Sequence, residues 1–229
     1  MGDYHGLGKV AMLRTAASIL FLLAIPLLLL SSNLRCAVNS DSLYEYGFRN
    51  FEVSEDTGLS EQELLRIGRG IIAYFNSAEQ VDTDVFRERE LLHLSDVKGL
   101  VQLDYYLQYA AAGYLLLFGI LGYLWRRQRF WRMLARLLIW GGGATVAGLL
   151  IVGLWALIDF DSLFLLFHLA SYRNELWMLS PTDFMFRMFP PEFFFRASVL
   201  VGAAVVAQAL LLTGLGWGYL ALVKEESPR

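Results

Sequence analysis

Four long apolar blocks, separated by polar stretches, constrain this chain more than any other feature of its sequence. They cover residues 11–31, 105–125, 137–158 and 197–222. Each holds roughly 20 residues, the length of helix that crosses a hydrocarbon core of about 30 Å. The chain is 56% hydrophobic, whereas soluble domains usually contain about 45–50% apolar residues. The sequence therefore predicts an all-α fold, a bundle of four transmembrane helices.

The basic residues predict the orientation of this bundle. Five arginines lie in the short segment 126–136, which has no acidic residue, whereas residues 33–104 hold fourteen Asp and Glu against seven Lys and Arg. Short basic loops stay in the cytoplasm. We therefore expect segments 1–10, 126–136 and 223–229 to be cytoplasmic, and segments 32–104 and 159–196 to lie on the outer face.

The first outer segment, residues 32–104, is expected to be a mainly helical domain. Ser60 and Glu63 have the spacing of a capping box, and apolar residues then recur at helical intervals up to Phe75. A second helix is expected to begin near Thr83 and Asp84. These patterns predict a folded extracytoplasmic domain.

The second outer segment, residues 159–196, combines aromatic and charged residues. It contains nine phenylalanines and Trp177. It is too charged to span a membrane and too aromatic for a solvated loop, which predicts a segment in the membrane interface. Its three prolines, Pro181, Pro190 and Pro191, should divide it into short pieces.

Composition and motifs exclude several classes of function. The net charge is −3 and no basic face runs through the chain, so no nucleic-acid partner is expected. The single cysteine, Cys36, excludes a disulfide within the chain. The sequence contains neither a serine nucleophile elbow nor a glycine-rich phosphate loop.

Two histidines, His93 and His168, fall one in each outer segment and are the leading candidates for chemistry. Their intrinsic pKa near 6.5 suits proton transfer at neutral pH. Glu90 and Asp96 lie three residues to either side of His93, so a carboxylate can orient it on a helix. The alternatives are a solvated surface ion pair for His93 and a backbone-bonded interfacial ring for His168.

A metal site is the less favoured interpretation of His93 and His168. Asp96, Asp161 and Asp183 could add ligands, but no closely spaced histidine pair is present. We therefore expect no metal and no cofactor.

Both histidine segments resemble motifs of a known family. Around His93 the motif is Phe86, Glu90, His93, Asp96, Val97 and Lys98; around His168 it is Phe167, His168, Trp177, Leu179, Asp183, Phe189, Pro190, Phe193 and Phe194. These residues resemble the bacterial membrane proteins that include the lipoprotein intramolecular transacylase, Lit. The resemblance covers nearly the whole chain.

The resemblance implies an acyltransferase of the bacterial cytoplasmic membrane, multi-pass, with its active site on the outer face. Such an enzyme moves the sn-2 acyl chain of a diacylglyceryl-modified lipoprotein to the α-amino group of its N-terminal cysteine, giving the lyso-form lipoprotein. It implies His93, His168 and Asp96 as catalytic residues, and Trp177, Phe167 and Asp183 as substrate-binding residues. The expected partners are the lipoprotein substrate and membrane lipid, with no obligate protein partner. The alternatives are a metal-dependent membrane hydrolase of lipids and a non-enzymatic envelope protein.

Overall fold

The computed structural model describes residues 4–78, 81, 84–126 and 128–225. In that part of the chain every regular element is a helix. In chain order they are α1 (Tyr4–Val38), α2 (Asp41–Asn50), α3 (Val53–Thr57), α4 (Glu61–Asn76), α5 (Glu88–Arg126), α6 (Gln128–Ile158), α7 (Phe160–Ser171), α8 (Phe184–Met188) and α9 (Pro191–Glu225). The predicted all-α class is confirmed.

Four of these helices, α1, α5, α6 and α9, are long and apolar enough to cross a membrane. Each is longer than the apolar block that predicts it. The first part of α5 carries six charged residues up to Asp104, so its apolar stretch begins only after that residue. The helix therefore combines a polar beginning, which includes His93, with an apolar remainder.

The chain divides into two compact units, and the first holds residues 1–32, 107–151 and 203–229. Its core is an apolar cluster around Phe21, Ile25 and Leu137. A Cβ atom at Gly142 on α6 would lie only 2.6 Å from the carbonyl oxygen of Ala209 on α9. Glycine at this position therefore allows the two helix backbones to approach closely, as packed membrane helices require.

The second unit holds residues 33–106 and 152–202, and it carries both candidate histidines. Its core buries one stripe of α4, formed by Leu64, Ile67 and Ile71. The capping box predicted at the start of α4 is confirmed: Ser60 Oγ accepts from the Glu63 amide, and Glu63 Oε2 accepts from the Ser60 amide at 2.9 Å.

The structure differs from the sequence expectations at two connections. Segment 126–136, expected as a loop, is helical from Gln128 onward, because arginine and leucine are good helix formers and nothing breaks the run. The second outer helix begins at Glu88, later than expected. Thr83 lies outside the described residues, as do Arg127 and the ends of both expected cytoplasmic tails, residues 1–3 and 226–229.

Candidate active site

His93 and His168 lie beside each other within the second unit. Their ring centroids are 6.4 Å apart and the rings are inclined by 33°. His93 projects from the second turn of α5 and His168 from the last turn of α7. Two imidazoles separated by 75 positions in the sequence are therefore close enough to act on one small group.

His168 has a defined tautomer. Its Nδ1 lies 2.7 Å from the carbonyl oxygen of Phe164, one helical turn earlier. A carbonyl oxygen can only accept, so Nδ1 must carry the proton. Nε2 of the neutral ring is then left with its lone pair and can act as a base. The hydrogen bond to a backbone carbonyl, which the sequence offered as the non-catalytic alternative for His168, is thus present. The same hydrogen bond leaves Nε2 available for proton transfer.

His93 is buried, with 7% of its surface exposed. This burial excludes the alternative of a solvated surface ion pair. Its Nδ1 is fully buried and has no hydrogen-bond partner among the residues that the structure describes. A buried ring nitrogen without a partner is costly and calls for an explanation.

Asp96 acts on His93 through its charge. Its Oδ2 accepts a hydrogen bond from Asn174 Nδ2 at 2.9 Å, which fixes the carboxylate. Burial, followed by the neighbouring His168, lowers the pKa of His93 to about 4, and Asp96 partly opposes this change. Burial also lowers the pKa of His168, against the effect of the Phe164 carbonyl. Both imidazoles are therefore neutral at pH 7.

Aromatic side chains surround His168. The rings of Trp177, Phe167 and Phe164 lie 5.0, 5.3 and 4.3 Å from it, measured between centroids. Phe167 is 52% exposed, so it offers a free apolar face beside the imidazole. The two aromatic residues expected to bind substrate, Trp177 and Phe167, therefore both lie at this histidine.

Tyr172 was not among the residues singled out from the sequence. Its ring lies 5.3 Å from that of His93 and 5.7 Å from that of His168. Burial and the charge of Asp96 raise the pKa of its hydroxyl to about 12, so the group stays protonated. The one local feature of the sequence that could have indicated Tyr172 is its spacing of four residues, about one helical turn, from His168.

Asp183 has partners of its own. Its carboxylate accepts from Arg87 Nη1 and from the Ser180 amide, each at 2.7 Å. Together these contacts join the start of α5 to the loop before α8. The geometry thus gives Asp183 a structural task, and a direct contact with substrate remains a prediction.

Glu90 was expected, with Asp96, to orient His93, and the structure gives it a different task. It is fully buried, and its two carboxylate oxygens accept from the amides of Met185 and Arg87 at 2.6 and 2.8 Å. The charge is satisfied by backbone donors at the starts of α8 and α5. Glu90 therefore stabilises the start of α5, the helix that carries His93. Asp96 is the carboxylate that acts electrostatically on the His93 ring.

The described residues contain no group of three or more His, Cys, Asp or Glu side chains placed to hold a metal ion. The alternative hypothesis of a metal site at the histidines needs such a group. The geometry of this part of the chain thus does not supply the ligand set that a metal-dependent hydrolase requires.

Comparison with known proteins identifies the family. The model of the lipoprotein intramolecular transacylase family, Lit, matches residues 19–194. That range includes both histidines and more than three quarters of the chain. The chain belongs to the Lit family.

Solved structures of a Lit protein share the fold. The membrane-integral Lit from Bacillus cereus is 20% identical, with a TM-score of 0.81 over 95% of this chain and 100% of that one. A variant of the same enzyme with one histidine replaced by alanine is also 20% identical and gives a TM-score of 0.77 over 97% and 100%. At this identity the likeness shows the fold.

A sequence relative occurs in Aquifex aeolicus, where it is described as an uncharacterized protein. It is 21% identical over 200 residues, covering 82% of this chain and 88% of the relative. Membership of the Lit family confirms the acyltransferase class and the membrane-integral character expected from the sequence.

Proposed function

We propose that this chain converts diacylglyceryl lipoproteins to their lyso-form with His93 and His168 as its acid–base pair. The α-amino nitrogen of the substrate's N-terminal cysteine attacks the sn-2 ester carbonyl. A tetrahedral intermediate forms and collapses, the amide bond replaces the ester bond, and the sn-2 oxygen leaves as a hydroxyl. No water is consumed, because the proton lost by the amine balances the proton gained by the glycerol oxygen.

His168 is the base in this proposal. Its Nδ1–H is bonded to the Phe164 carbonyl, so Nε2 is the nitrogen that accepts the amine proton. The lowered pKa of His168 keeps Nε2 unprotonated at neutral pH. The imidazolium that then forms can return the proton to the departing glycerol oxygen.

His93 and Tyr172 stabilise the negative charge that develops on the ester oxygen. The neutral imidazole of His93 has an N–H to donate, and the protonated hydroxyl of Tyr172 is a second donor. Donors placed in advance around a developing oxyanion lower the barrier strongly.

A protein nucleophile is unnecessary because amine and ester belong to one substrate molecule. Orientation of two groups of one molecule can supply roughly 7–11 kcal/mol of the barrier. The exposed face of Phe167 and the ring of Trp177 would hold the acyl chains next to His168. We propose that this site lies at the outer leaflet, on the basis of the basic-residue distribution.

The observation that carries the proposal is the 6.4 Å separation of the two imidazoles. A crossover experiment with purified protein tests whether the acyl chain moves within one substrate molecule. One diacylglyceryl lipopeptide carries a ¹³C-labelled sn-2 chain, and a second carries a ¹⁵N-labelled peptide. After incubation of the mixture, mass spectrometry should find ¹³C acyl chains only on unlabelled peptides.

Doubly labelled product would contradict the intramolecular transfer, since it requires exchange between molecules. The His5→Ala variant should behave like the wild type because His5 lies in the expected cytoplasmic tail, remote in sequence from both motifs. His168→Ala and His93→Ala should yield no product above the uncatalysed rate. Full activity in either variant would contradict the assigned pair.

A further inference from the structure

A cavity lies in the same unit as the histidines. It has a volume of about 310 Å³ and is formed by residues that precede α4, begin α5 and form α8. Its walls are apolar at Leu59, Val85 and Phe184, and polar at Thr57, Thr182 and Arg187. This volume is at the lower limit for small-ligand sites, roughly 300–1,000 Å³.

Arg187 is the cationic lining residue of this cavity that can donate hydrogen bonds without belonging to an ion pair among the described residues. Its Nη1 donates to the carbonyl oxygen of Asp56 at 2.8 Å, which fixes the guanidinium. Its Nε is fully buried and has no acceptor in the described part of the chain. A guanidinium that is fixed in this way at the wall of a cavity is suited to donate to an incoming oxygen atom.

The other ionisable side chains at the cavity already have partners. Arg87 pairs with Asp183 at 2.7 Å, and Glu90 accepts from the amides of Arg87 and Met185. Among the described ion pairs none involves Arg187. Its guanidinium donates to the neutral carbonyl of Asp56 and lies 6.0 Å from the centroid of the Phe184 ring. The cavity therefore combines one available cationic donor with apolar walls, which suits a peptide better than a multiply charged anion.

The position of the cavity relates it to the histidine pair. Glu90 lines it, and His93 follows three residues later on the same helix, α5. Three residues correspond to about 4.5 Å along a helix axis. A substrate whose cysteine lies at His93 can therefore reach this cavity with the residues that directly follow the cysteine.

We propose that this cavity binds the peptide stem of the lipoprotein, the two or three residues after the acylated cysteine, with Arg187 donating to a stem carbonyl. The inference deepens the proposed function and rests on it. The apolar wall at Leu59, Val85 and Phe184 would receive a small side chain of the stem. Recognition of a backbone carbonyl does not depend on the side chains of the stem, so the site would accept stems of different sequence.

The test compares two substrates with the full-length protein. Both carry the same diacylglyceryl cysteine, which is followed by a single serine amide in one and by five residues in the other. Arg187→Gln should raise the KM for the longer substrate about tenfold, the value of one charge-assisted hydrogen bond. The kcat for both, and the KM for the short substrate, should stay within about twofold.

Two further variants distinguish an effect on the cavity from an effect on folding. Thr182 is exposed at the rim, so Thr182→Trp should narrow the entrance without disturbing the core, and it should also raise only the KM for the longer substrate. Arg173→Gln, an exposed arginine on the preceding loop, should change neither value.

Equal KM changes for both substrates, or no change for either, would overturn the stem site while leaving the transacylase intact. Absence of lyso-form product from both substrates with the wild-type protein would instead overturn the proposed function, and the stem site with it. The ratio of the two KM values therefore reports on the cavity, and product formation reports on the reaction.

Discussion

Burial and two neighbouring groups, His168 and Asp96, determine the protonation of His93, and they act in different directions. Burial and His168 lower its pKa, whereas Asp96 raises it. The net pKa, about 4, lies below the usual value of about 6.5 in an unfolded chain. Between these two values the unfolded chain binds a proton that the folded chain does not. The free energy of unfolding should therefore rise with pH across this window.

His93→Gln should reduce this pH dependence, since it removes the titrating ring. Thermal unfolding in detergent at several values from pH 4.5 to 6.5 measures it. We expect the wild-type melting temperature to rise more steeply across the window than that of the variant. Parallel curves for the two proteins would show that His93 has an ordinary pKa, contrary to the buried environment described above.

The hydroxyl of Tyr172 can be tested without removing its ring. Tyr172→Phe keeps the ring contacts with both histidines and removes one donor beside the developing oxyanion. Loss of one such donor costs about 2.7–4 kcal/mol, so kcat should fall roughly 100- to 1,000-fold with little change in KM. Tyr106→Phe, which alters a 71% exposed tyrosine, is the matched control. Unchanged kcat in Tyr172→Phe would leave oxyanion stabilisation to His93 alone.

At the scale of elements, the buried carboxylate of Glu90 joins the start of α5 to the start of α8. Glu90→Ala leaves two amide donors, those of Met185 and Arg87, without their acceptor. We expect a loss of about 2–4 kcal/mol in the free energy of unfolding. Glu88→Ala, in the same helical turn but exposed, should change it by less than about 0.5 kcal/mol. Similar losses of unfolding free energy in both variants would argue against a stabilising connection between α5 and α8 through Glu90.

Elements of this fold differ in how far the sequence reveals them. Apolar length predicted four membrane helices, and the spacing of Ser60 and Glu63 predicted the start of α4, because both signals are local. The motif resemblance drew attention to His93 and His168, which the structure places side by side. The tasks of Glu90 and Asp183 were missed because they depend on partners 95 and 96 residues away. No periodicity along a helix encodes such partners.

At the scale of the whole molecule, the expected orientation can be read with the chain's own cysteine. Cys36 is the single cysteine and is exposed near the end of α1. A membrane-impermeant maleimide should label it in intact spheroplasts. In the variant that combines Cys36→Ser with Lys224→Cys, on the last turn of α9, labelling should require permeabilised membranes. The reverse pattern would overturn the orientation and, with it, an outer-face site.

The most direct test of the account is mass spectrometry of lipoprotein N-termini from a bacterial host that lacks its own N-acylation step. Expression of the wild-type chain should convert diacylglyceryl cysteines to N-acyl, S-monoacylglyceryl cysteines. His93→Ala and His168→Ala, present in the membrane at equal amounts, should leave the diacyl form unchanged. Lyso-form N-termini in cells that express either variant would contradict the claim that this pair of imidazoles performs the transfer.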